Sequence, residues 1–289
     1  MANVLAVIGG SGLYSVDDMT NIEEVRVDTP YGPPSDAVIT GRLKESGAPM
    51  MFLPRHGRGH RVSPTQINYR ANICALKKLG ATHVLSVSAV GSMKEEIEPG
   101  DLVVVDQFID LTKRRVSTFF DDGIVGHVAF SDPVCPIMAA ATYEAAKASG
   151  ARAHKGGTYV CIEGPQFSTR AESLVYRSWG VSVIGMTNMP EAKLAREAEL
   201  PYATLALSTD YDCWHSSEEA VTVEMVIATL TKNVRFARDV AKRLAANLPD
   251  VSQSIAKGSL TNAVMTAPDK VTPEARERLS WLLPPSKGA

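Results

Sequence analysis

Short apolar runs recur along this chain, and most of them end in glycine or in small polar residues. Apolar runs of about four to eight residues between turn residues are typical of strands buried on both faces of a parallel sheet. The pattern predicts strands at residues 4–8, 37–43, 50–53, 84–87, 101–110, 157–162, 181–185 and from 202 onward.

Segments with helical signals lie between these runs. Ser63 followed by Pro64 predicts a helix start, and Gly80 its end, because serine caps helices and proline suits the first helical position. Thr169 and Glu172 have the spacing of a capping box, which predicts another start. Apolar residues at steps of three and four between 223 and 244 predict one long amphipathic helix. Further helices are predicted at 134–149, 191–199 and from 272, with irregular structure at 111–133 and 250–271.

The chain shows no internal repeat and no linker long enough to divide it. Alternating strands and helices are typical of layered α/β folds. We therefore expect one α/β domain over residues 1–289, with a central mixed, largely parallel sheet flanked by helices.

Composition narrows the class of protein. The chain has 289 residues, 45% apolar and 21% charged, a net charge of −2 and a pI near 6.3. Such a balance argues against a general nucleic-acid or membrane-surface binder, so we expect neither partner. The short basic run Lys113-Arg114-Arg115 is interpreted as a solvated loop.

The cysteines and histidines give no metal-binding pattern. The four cysteines are isolated, and no histidine pair brackets a glutamate at zinc spacing. No signal peptide is recognisable at the start, and no apolar stretch reaches the ~18 residues of a membrane span. These features predict a soluble cytoplasmic protein without a metal site.

Two carboxylates follow the apolar run that begins at Tyr202. Asp210 and Asp212 are two residues apart, and in extended geometry such side chains point to the same side. One interpretation is a turn in which Asp210 caps the next helix. The other is a site that binds a donor-rich heterocycle and hands it a proton.

Residues suited to an anion follow other strands. Gly9-Gly10-Ser11-Gly12 could bring backbone amides and a hydroxyl to a phosphate, although a plain turn is an equal alternative. Arg55-His56 suits a planar oxyanion because a guanidinium offers two parallel donors; the alternative is an exposed basic loop.

In open α/β sheets, ligands bind beyond the carboxyl ends of strands. Ser11, Arg55-His56, Ser88-Ala89, Met186-Thr187 and Asp210 all stand at predicted strand ends, so we expect them to converge. An anion site beside a proton donor is what glycosyl transfer to phosphate requires, since the acid protonates the leaving base.

With these residues assembled, the chain resembles the S-methyl-5′-thioadenosine phosphorylases of the purine nucleoside phosphorylase superfamily. The resemblance spans nearly the whole chain. Its strongest motifs are Ile8-Gly9-Gly10-Ser11-Gly12-Leu13, Arg55-His56-Gly57, Asn68-Tyr69-Arg70-Ala71-Asn72, Ser88-Ala89-Val90-Gly91-Ser92, Asp106-Gln107-Phe108-Ile109-Asp110, Ile162-Glu163-Gly164-Pro165, Met186-Thr187, Met189-Pro190-Glu191 and Thr209-Asp210-Tyr211-Asp212-Cys213-Trp214.

The resemblance implies a pentosyltransferase that cleaves methylthioadenosine with phosphate, giving adenine and 5-methylthioribose 1-phosphate for purine and methionine salvage. Inorganic phosphate is then a co-substrate, and neither metal nor organic cofactor is expected. The implied phosphate ligands are Ser11, Arg55, His56, Ser88, Ala89 and Thr187. Around the nucleoside, the implied contacts are Asp210 and Asp212 at the adenine, Phe167 and Met186 at the base and ribose, and His60, Val223, Val226 and Leu282 at the methylthio group.

Two positions favour adenine over a 6-oxopurine. Relatives that cleave 6-oxopurine nucleosides have Asn in place of Asp210 and typically Glu in place of Ser168. Ser11 and Ser88 stand where threonine is common, and both keep a hydroxyl. Gln166 replaces an arginine of some relatives, with no physical account of its effect.

Three alternatives remain open. One is a phosphorylase of broader or 6-oxopurine specificity, and another is a hydrolytic nucleosidase, against which Arg55-His56 argues. The third is a nucleotide-binding or NAD-dependent protein resting on the glycines after the first strand, which lack the acidic partner of a dinucleotide fingerprint.

The C-terminal segment suggests an assembly. Trp281-Leu282-Leu283 would form an exposed apolar cluster unless it is covered. It could pack on its own chain. The resemblance instead implies a homotrimer or a dimer of trimers, in which residues 272–289 close a neighbouring subunit's site.

Overall fold

The structure, a computed structural model, describes residues 3–10, 12–13, 18–215 and 223–283, with the backbone alone at 223–226 and 228. Within these ranges the chain forms an 11-stranded sheet and helices on both of its faces. The strands are β1 (Leu5–Gly9), β2 (Met19–Val25), β3 (Val38–Leu43), β4 (Pro49–Pro54), β5 (His83–Ser92), β6 (Leu102–Val105), β7 (Gln107–Asp110), β8 (Ala153–Lys155), β9 (Thr158–Cys161), β10 (Val183–Gly185) and β11 (Tyr202–Asp210). The α-helices are α1 (Tyr69–Lys78), α2 (Pro136–Ala148), α3 (Arg170–Ser178), α4 (Glu191–Glu197), α5 (Val223–Ala246) and α6 (Pro273–Arg278).

Strand β5 is the centre of the sheet. Along one edge it pairs first with β1 in parallel and then, at Gly91 and Ser92, with β10 in antiparallel fashion. Its other edge pairs in parallel with β11 from Tyr202 to Asp210. The carboxyl end of β5 therefore lies between β10 and the end of β11, which confirms the mixed, largely parallel sheet expected from the sequence.

The buried strands explain the unbroken apolar runs. In β11, Ala203, Leu205 and Leu207 face a core shared with α2 and α5, whereas Tyr202 and Ala206 face a core shared with α1 and α4. Every residue of β11 is buried. A strand covered on both faces has no solvent side to mark with charged residues, so its sequence is mostly apolar on both faces.

Several boundaries differ from those expected. Pro64 opens only a short 3₁₀ helix, Pro64–Gln66, and α1 begins later with Asn68 as its N-cap, because Ile67 is extended and interrupts the helical path. Residues 101–110 form two strands, since β6 pairs with β11 and β8 while β7 pairs with β9. The sequence analysis missed β2 and β8, which lie at edges of the sheet and carry few buried residues.

Other predicted elements are confirmed. Thr169 and Glu172 form the capping box that starts α3, with both reciprocal hydrogen bonds present. Thr272 caps α6 by accepting a hydrogen bond from the Ala275 amide. No helix among the described residues has both the length and the apolar character needed to cross a bilayer.

Candidate active site

A cavity of about 620 Å³ lies where β1, β4, β5, β10 and β11 end. Most of the predicted site residues line it, namely Arg55, His56, His60, Ser88, Ala89, Phe167, Met186, Thr187, Asp210 and Asp212. Ser11 lies outside the described residues, as do the side chains of Val223 and Val226. The sheet thus brings the predicted anion-binding residues and the two predicted carboxylates into one cavity.

Two hydroxyl groups meet at one end of the cavity. Ser88 lies within β5, four residues before its end rather than at the strand end expected from the sequence, and Thr187 lies two residues after β10; their hydroxyl oxygens are 2.9 Å apart. Both residues are buried, and both line the cavity wall beside Ala89. Hydroxyls at this position can donate to a bound oxyanion.

The Arg55 side chain differs from what the sequence suggested. Its parallel donors, Nε and Nη2, face the Glu191 carboxylate at 2.9 and 3.2 Å rather than an exogenous anion. Nη1 donates to the Val87 carbonyl, and Nη2 also contacts the Ser86 hydroxyl at 2.5 Å. Arg55 is only 2% exposed, so it is not the exposed basic loop either. One Nη1 proton remains without an acceptor among the described residues.

His56 offers a neutral ring to the cavity. Its Nδ1 lies 2.9 Å from the Val62 carbonyl, which can only accept, so Nδ1 carries the proton and Nε2 is an acceptor. Burial, reinforced by the charge of Arg55, lowers the pKa of His56 to about 4. The ring stacks on His60 with centroids 4.2 Å apart.

The two predicted carboxylates line the same cavity further along β5, since Asp210 pairs with Gly91, three residues beyond Ser88. Asp210 is the last residue of β11, and Asp212 starts a 3₁₀ helix with a left-handed φ of 54°, so the extended geometry does not continue. The Asp212 amide donates to Asp210 Oδ1 at 2.8 Å, and the Thr209 hydroxyl donates to Oδ2 at 2.7 Å. Asp210 therefore organises the turn and also borders the cavity.

Asp212 is held by α3. The Ser173 hydroxyl donates to Asp212 Oδ2 at 2.5 Å, and burial raises the pKa of Asp212 above its ordinary value. Gly91 of β5 leaves room for both carboxylates, since a Cβ there would lie 3.0 Å from Asp210 Oδ1 and 3.3 Å from Asp212 Cβ. Burial thus favours the protonated form of Asp212, next to Asp210.

Arg115 supports the cavity wall, although the sequence suggested a solvated loop. Its guanidinium donates to the carbonyls of Met186, Met189 and Glu163 at 2.6 to 2.7 Å, and Nε pairs with the Glu163 carboxylate at 3.0 Å. The side chain is 1% exposed. Arg115 thereby joins the loops that follow β9 and β10.

Glu163 explains why Arg115 turns inward. Its carboxylate accepts the amides of Lys113 and Arg114 and the Thr65 hydroxyl. Burial opposes ionisation of Glu163, but the hydrogen bonds from Thr65, Lys113 and Arg115 outweigh it and lower the pKa to about 2. Lys113 and Arg114 remain exposed, as the sequence suggested.

The first turns of α5 form an apolar wall of the cavity, although the sequence pattern predicted only the buried apolar face of an amphipathic helix there. Ile227, Leu230 and Val234 line the cavity, and Ile227 is 56% exposed. Only the later part of the stripe, including Ala237 and Val240, is buried core. The signal was present, because these residues lie one turn from the implied contacts at 223 and 226 on the same helical face.

Met186 and Phe167 lie on the wall that Arg115 supports. Gly164 has φ +67°, and a Cβ there would lie 2.4 Å from Met186 Sδ, so only glycine fits both the backbone and the methionine. Phe167 lines the cavity but is 49% exposed. The cavity is therefore partly open on the Phe167 and Ile227 side.

The C-terminal apolar residues pack partly on their own chain. Trp281 contacts Phe119 and Tyr31, and Leu282 and Leu283 lie against the same core. Leu282 is not among the described residues that line the cavity. Its predicted contact with the methylthio group is therefore not made within this chain.

Comparison with known proteins gives consistent matches. Residues 4–246 match the family model described as the phosphorylase superfamily. An S-methyl-5′-thioadenosine phosphorylase from Geobacter sulfurreducens is 51% identical over 284 residues, covering 98% of this chain and 99% of the relative.

Solved structures of similar proteins have the same fold. A methylthioadenosine phosphorylase from an antarctic soil metagenomic library superposes with a TM-score of 0.91 at 50% identity, covering 98% of this chain and 99% of the other. A methylthioadenosine phosphorylase from Schistosoma mansoni in complex with adenine gives a TM-score of 0.85 at 35% identity, over 91% of this chain and 99% of the other.

Proposed function

Because this chain belongs to the S-methyl-5′-thioadenosine phosphorylases of the phosphorylase superfamily, we propose that it cleaves methylthioadenosine with inorganic phosphate. The products are adenine and 5-methylthioribose 1-phosphate. The observation that carries this proposal is that the Ser88–Thr187 hydroxyl pair and the Asp210–Asp212 carboxylates line the wall of the same cavity. Phosphate and a proton exchanger must act on opposite sides of the same glycosidic bond.

Phosphate binds at the hydroxyl end. Ser88 and Thr187 donate hydrogen bonds, with Ser11, Ala89 and His56 completing the site. A neutral His56 presents an acceptor at Nε2, which suits a phosphate oxygen that still carries a proton. Arg55 contributes its positive charge, and its remaining Nη1 proton is donated to the phosphate.

Adenine binds at the carboxylate end. Carboxylate oxygens accept from the 6-amino group and would repel the carbonyl of a 6-oxopurine. As the bond to the sugar breaks, N7 becomes basic, and Asp210 in its protonated form transfers its proton to N7 and is left as a carboxylate, with Asp212 beside it. Phosphate then attacks the anomeric carbon of an oxocarbenium-like sugar.

The apolar wall of α5 selects the 5′ substituent. Ile227, Leu230 and Val234 line the same cavity as Phe167 and His60, and a methylthio group placed against this apolar wall leaves water favourably by about 25 cal/mol per Å² of apolar surface. Phosphate is the co-substrate, and the reaction as proposed uses neither a metal nor an organic cofactor.

The test is release of adenine from methylthioadenosine, with inosine as comparison, each with and without phosphate. The proposal expects release that depends on phosphate and strongly prefers methylthioadenosine. Release without phosphate would identify a hydrolase, and efficient cleavage of inosine would identify a 6-oxopurine enzyme.

We also propose that the enzyme is a cytoplasmic homotrimer, or a dimer of trimers, in which residues 272–289 of a neighbour close the 5′ pocket. The partly open side at Phe167 and Ile227 supports this, since an apolar pocket needs a cover.

Leu279 is fully buried in its own core, so Leu282→Ala is a better test than deletion of the tail. We expect Leu282→Ala to weaken the binding of methylthioadenosine more than it weakens the binding of adenosine. An unchanged preference, with a monomer in sedimentation, would contradict the shared site.

A further inference from the structure

A tyrosine hydroxyl lies behind the Ser88–Thr187 pair. Tyr159 is on β9, is fully buried, and has its hydroxyl oxygen 3.2 Å from Ser88 Oγ. It is not among the described residues that line the cavity. Its contacts with the predicted phosphate site are therefore made through Ser88 and Thr187.

The position of this hydroxyl is fixed by its surroundings. A Cβ at Gly185 of β10 would lie 2.0 Å from the Tyr159 hydroxyl oxygen, so glycine leaves the space that this oxygen fills. The ring packs against Phe108 with centroids 5.6 Å apart. The neighbouring strand is thus shaped around the phenol.

The proton of the phenol must go to an acceptor in this buried setting. Burial raises the pKa of Tyr159 well above its ordinary value, so the phenol is neutral and has one proton to donate. The Ser88 hydroxyl is within reach of that proton. Without the hydrogen bond from Tyr159, the Ser88 hydroxyl can donate its proton to the Ala89 carbonyl, 3.3 Å away. The Thr187 hydroxyl can then donate to Ser88.

We propose that Tyr159 is a positioning residue for phosphate: it donates to Ser88 and directs the Ser88 and Thr187 protons toward the bound anion. A hydroxyl that accepts a hydrogen bond on one side presents its own proton on another. The inference rests on the proposed function, because it takes this pair to be the phosphate site.

The variant Tyr159→Phe removes the hydroxyl and keeps the ring. We expect the KM for phosphate to rise about three- to tenfold, the effect of one lost neutral hydrogen bond. The KM for methylthioadenosine and kcat at saturating phosphate should change less than about twofold. Tyr143→Phe, on α2 and outside the cavity lining, is the control and should leave both KM values unchanged.

A double-mutant cycle tests the route through Ser88. If Tyr159 acts through that hydroxyl, Tyr159→Phe should add little to the phosphate KM of a Ser88→Ala enzyme. Additive effects would overturn the proposal. An unchanged phosphate KM in Tyr159→Phe, or an equal rise in both KM values, would also overturn it.

Circular dichroism establishes that each variant is folded. Should Tyr159→Phe fail to fold, the same measurements on Tyr159→Met decide, because a flexible apolar side chain refills the space without a hydroxyl. Failure of the proposed function is a separate outcome, since the wild type would then show no phosphate-dependent release of adenine.

Discussion

Arg55 and Glu191 form a buried ion pair, with Nε 2.9 Å from Oε2 and side-chain exposures of 2% and 1%. The Tyr202 hydroxyl donates to the same carboxylate at 2.9 Å. The pair ties the end of β4 to the start of α4 beside the cavity. Arg55 is consequently part of the frame of the site as well as a candidate phosphate ligand.

Arg55→Ala should destabilise the fold by about 3–5 kcal/mol, because it leaves the Glu191 charge buried without its partner. Unfolding in urea measures this. The double variant Arg55→Met with Glu191→Leu should recover part of the loss, since it removes both charges. A stability loss below about 1 kcal/mol in Arg55→Ala would contradict a structural role for the pair.

Asp210→Asn should lower kcat on methylthioadenosine by roughly 10²–10⁴, because an amide cannot deliver the proton to N7. Activity on inosine should rise relative to methylthioadenosine, since the amide can donate to O6. Steady-state kinetics on both nucleosides measure the two effects, with thermal unfolding to show that the variant is folded. Full kcat on methylthioadenosine would remove Asp210 from the role of acid.

Arg115→Lys should lower kcat/KM for methylthioadenosine by about 10- to 100-fold, because an ammonium cannot join both loops as the guanidinium does. The carbonyls of Met186 and Glu163 in the cavity wall would then lose hydrogen bonds. The control is Arg114→Lys, at an exposed neighbour, which should be silent. Equal kinetics for the two variants would show that the Arg115 contacts do not shape the cavity.

The contribution of Glu197 to stability should fall as the pH rises from about 5 to 7, while His56, whose pKa is lowered to about 4, acts in the opposite direction over part of this range. Burial raises the pKa of this carboxyl to about 7, although the Phe119 amide and the Thr118 hydroxyl favour the ionised form. The folded state then keeps a proton that the unfolded chain has lost, so this contribution is present at low pH and is lost as the pH rises through the folded pKa. Between pH 5 and 7 the Glu197 contribution to the free energy of unfolding falls by roughly 2–3 kcal/mol, at ~1.4 kcal/mol per pH unit.

Urea unfolding at several pH values measures the Glu197 effect. Glu197→Gln is neutral throughout and should remove this part of the pH dependence. Glu144→Gln, on the exposed side of α2, is the control and should leave it in place. A pH dependence of stability in Glu197→Gln that is unchanged from wild type over this range would assign the titration to another group.

The sequence determined the strands buried on both faces and the residue types at their ends. Continuous apolar runs identified β1, β5 and β11, because no other common element of that length buries every side chain. Ligands of open α/β sheets bind beyond the carboxyl ends of the strands, and this rule, with the ordered motifs, predicted that Ser88, Thr187 and Asp210 lie in one site.

Only the tertiary structure decided what the charged side chains face. Nothing local in the sequence distinguishes Arg115 from its exposed neighbours Lys113 and Arg114, because the Glu163 carboxylate that orients it lies 48 positions away in the chain. The same holds for Arg55 and Glu191, which are 136 positions apart. Apolar burial leaves a repeating local pattern, whereas an ion pair depends on two single residues that folding alone brings into contact.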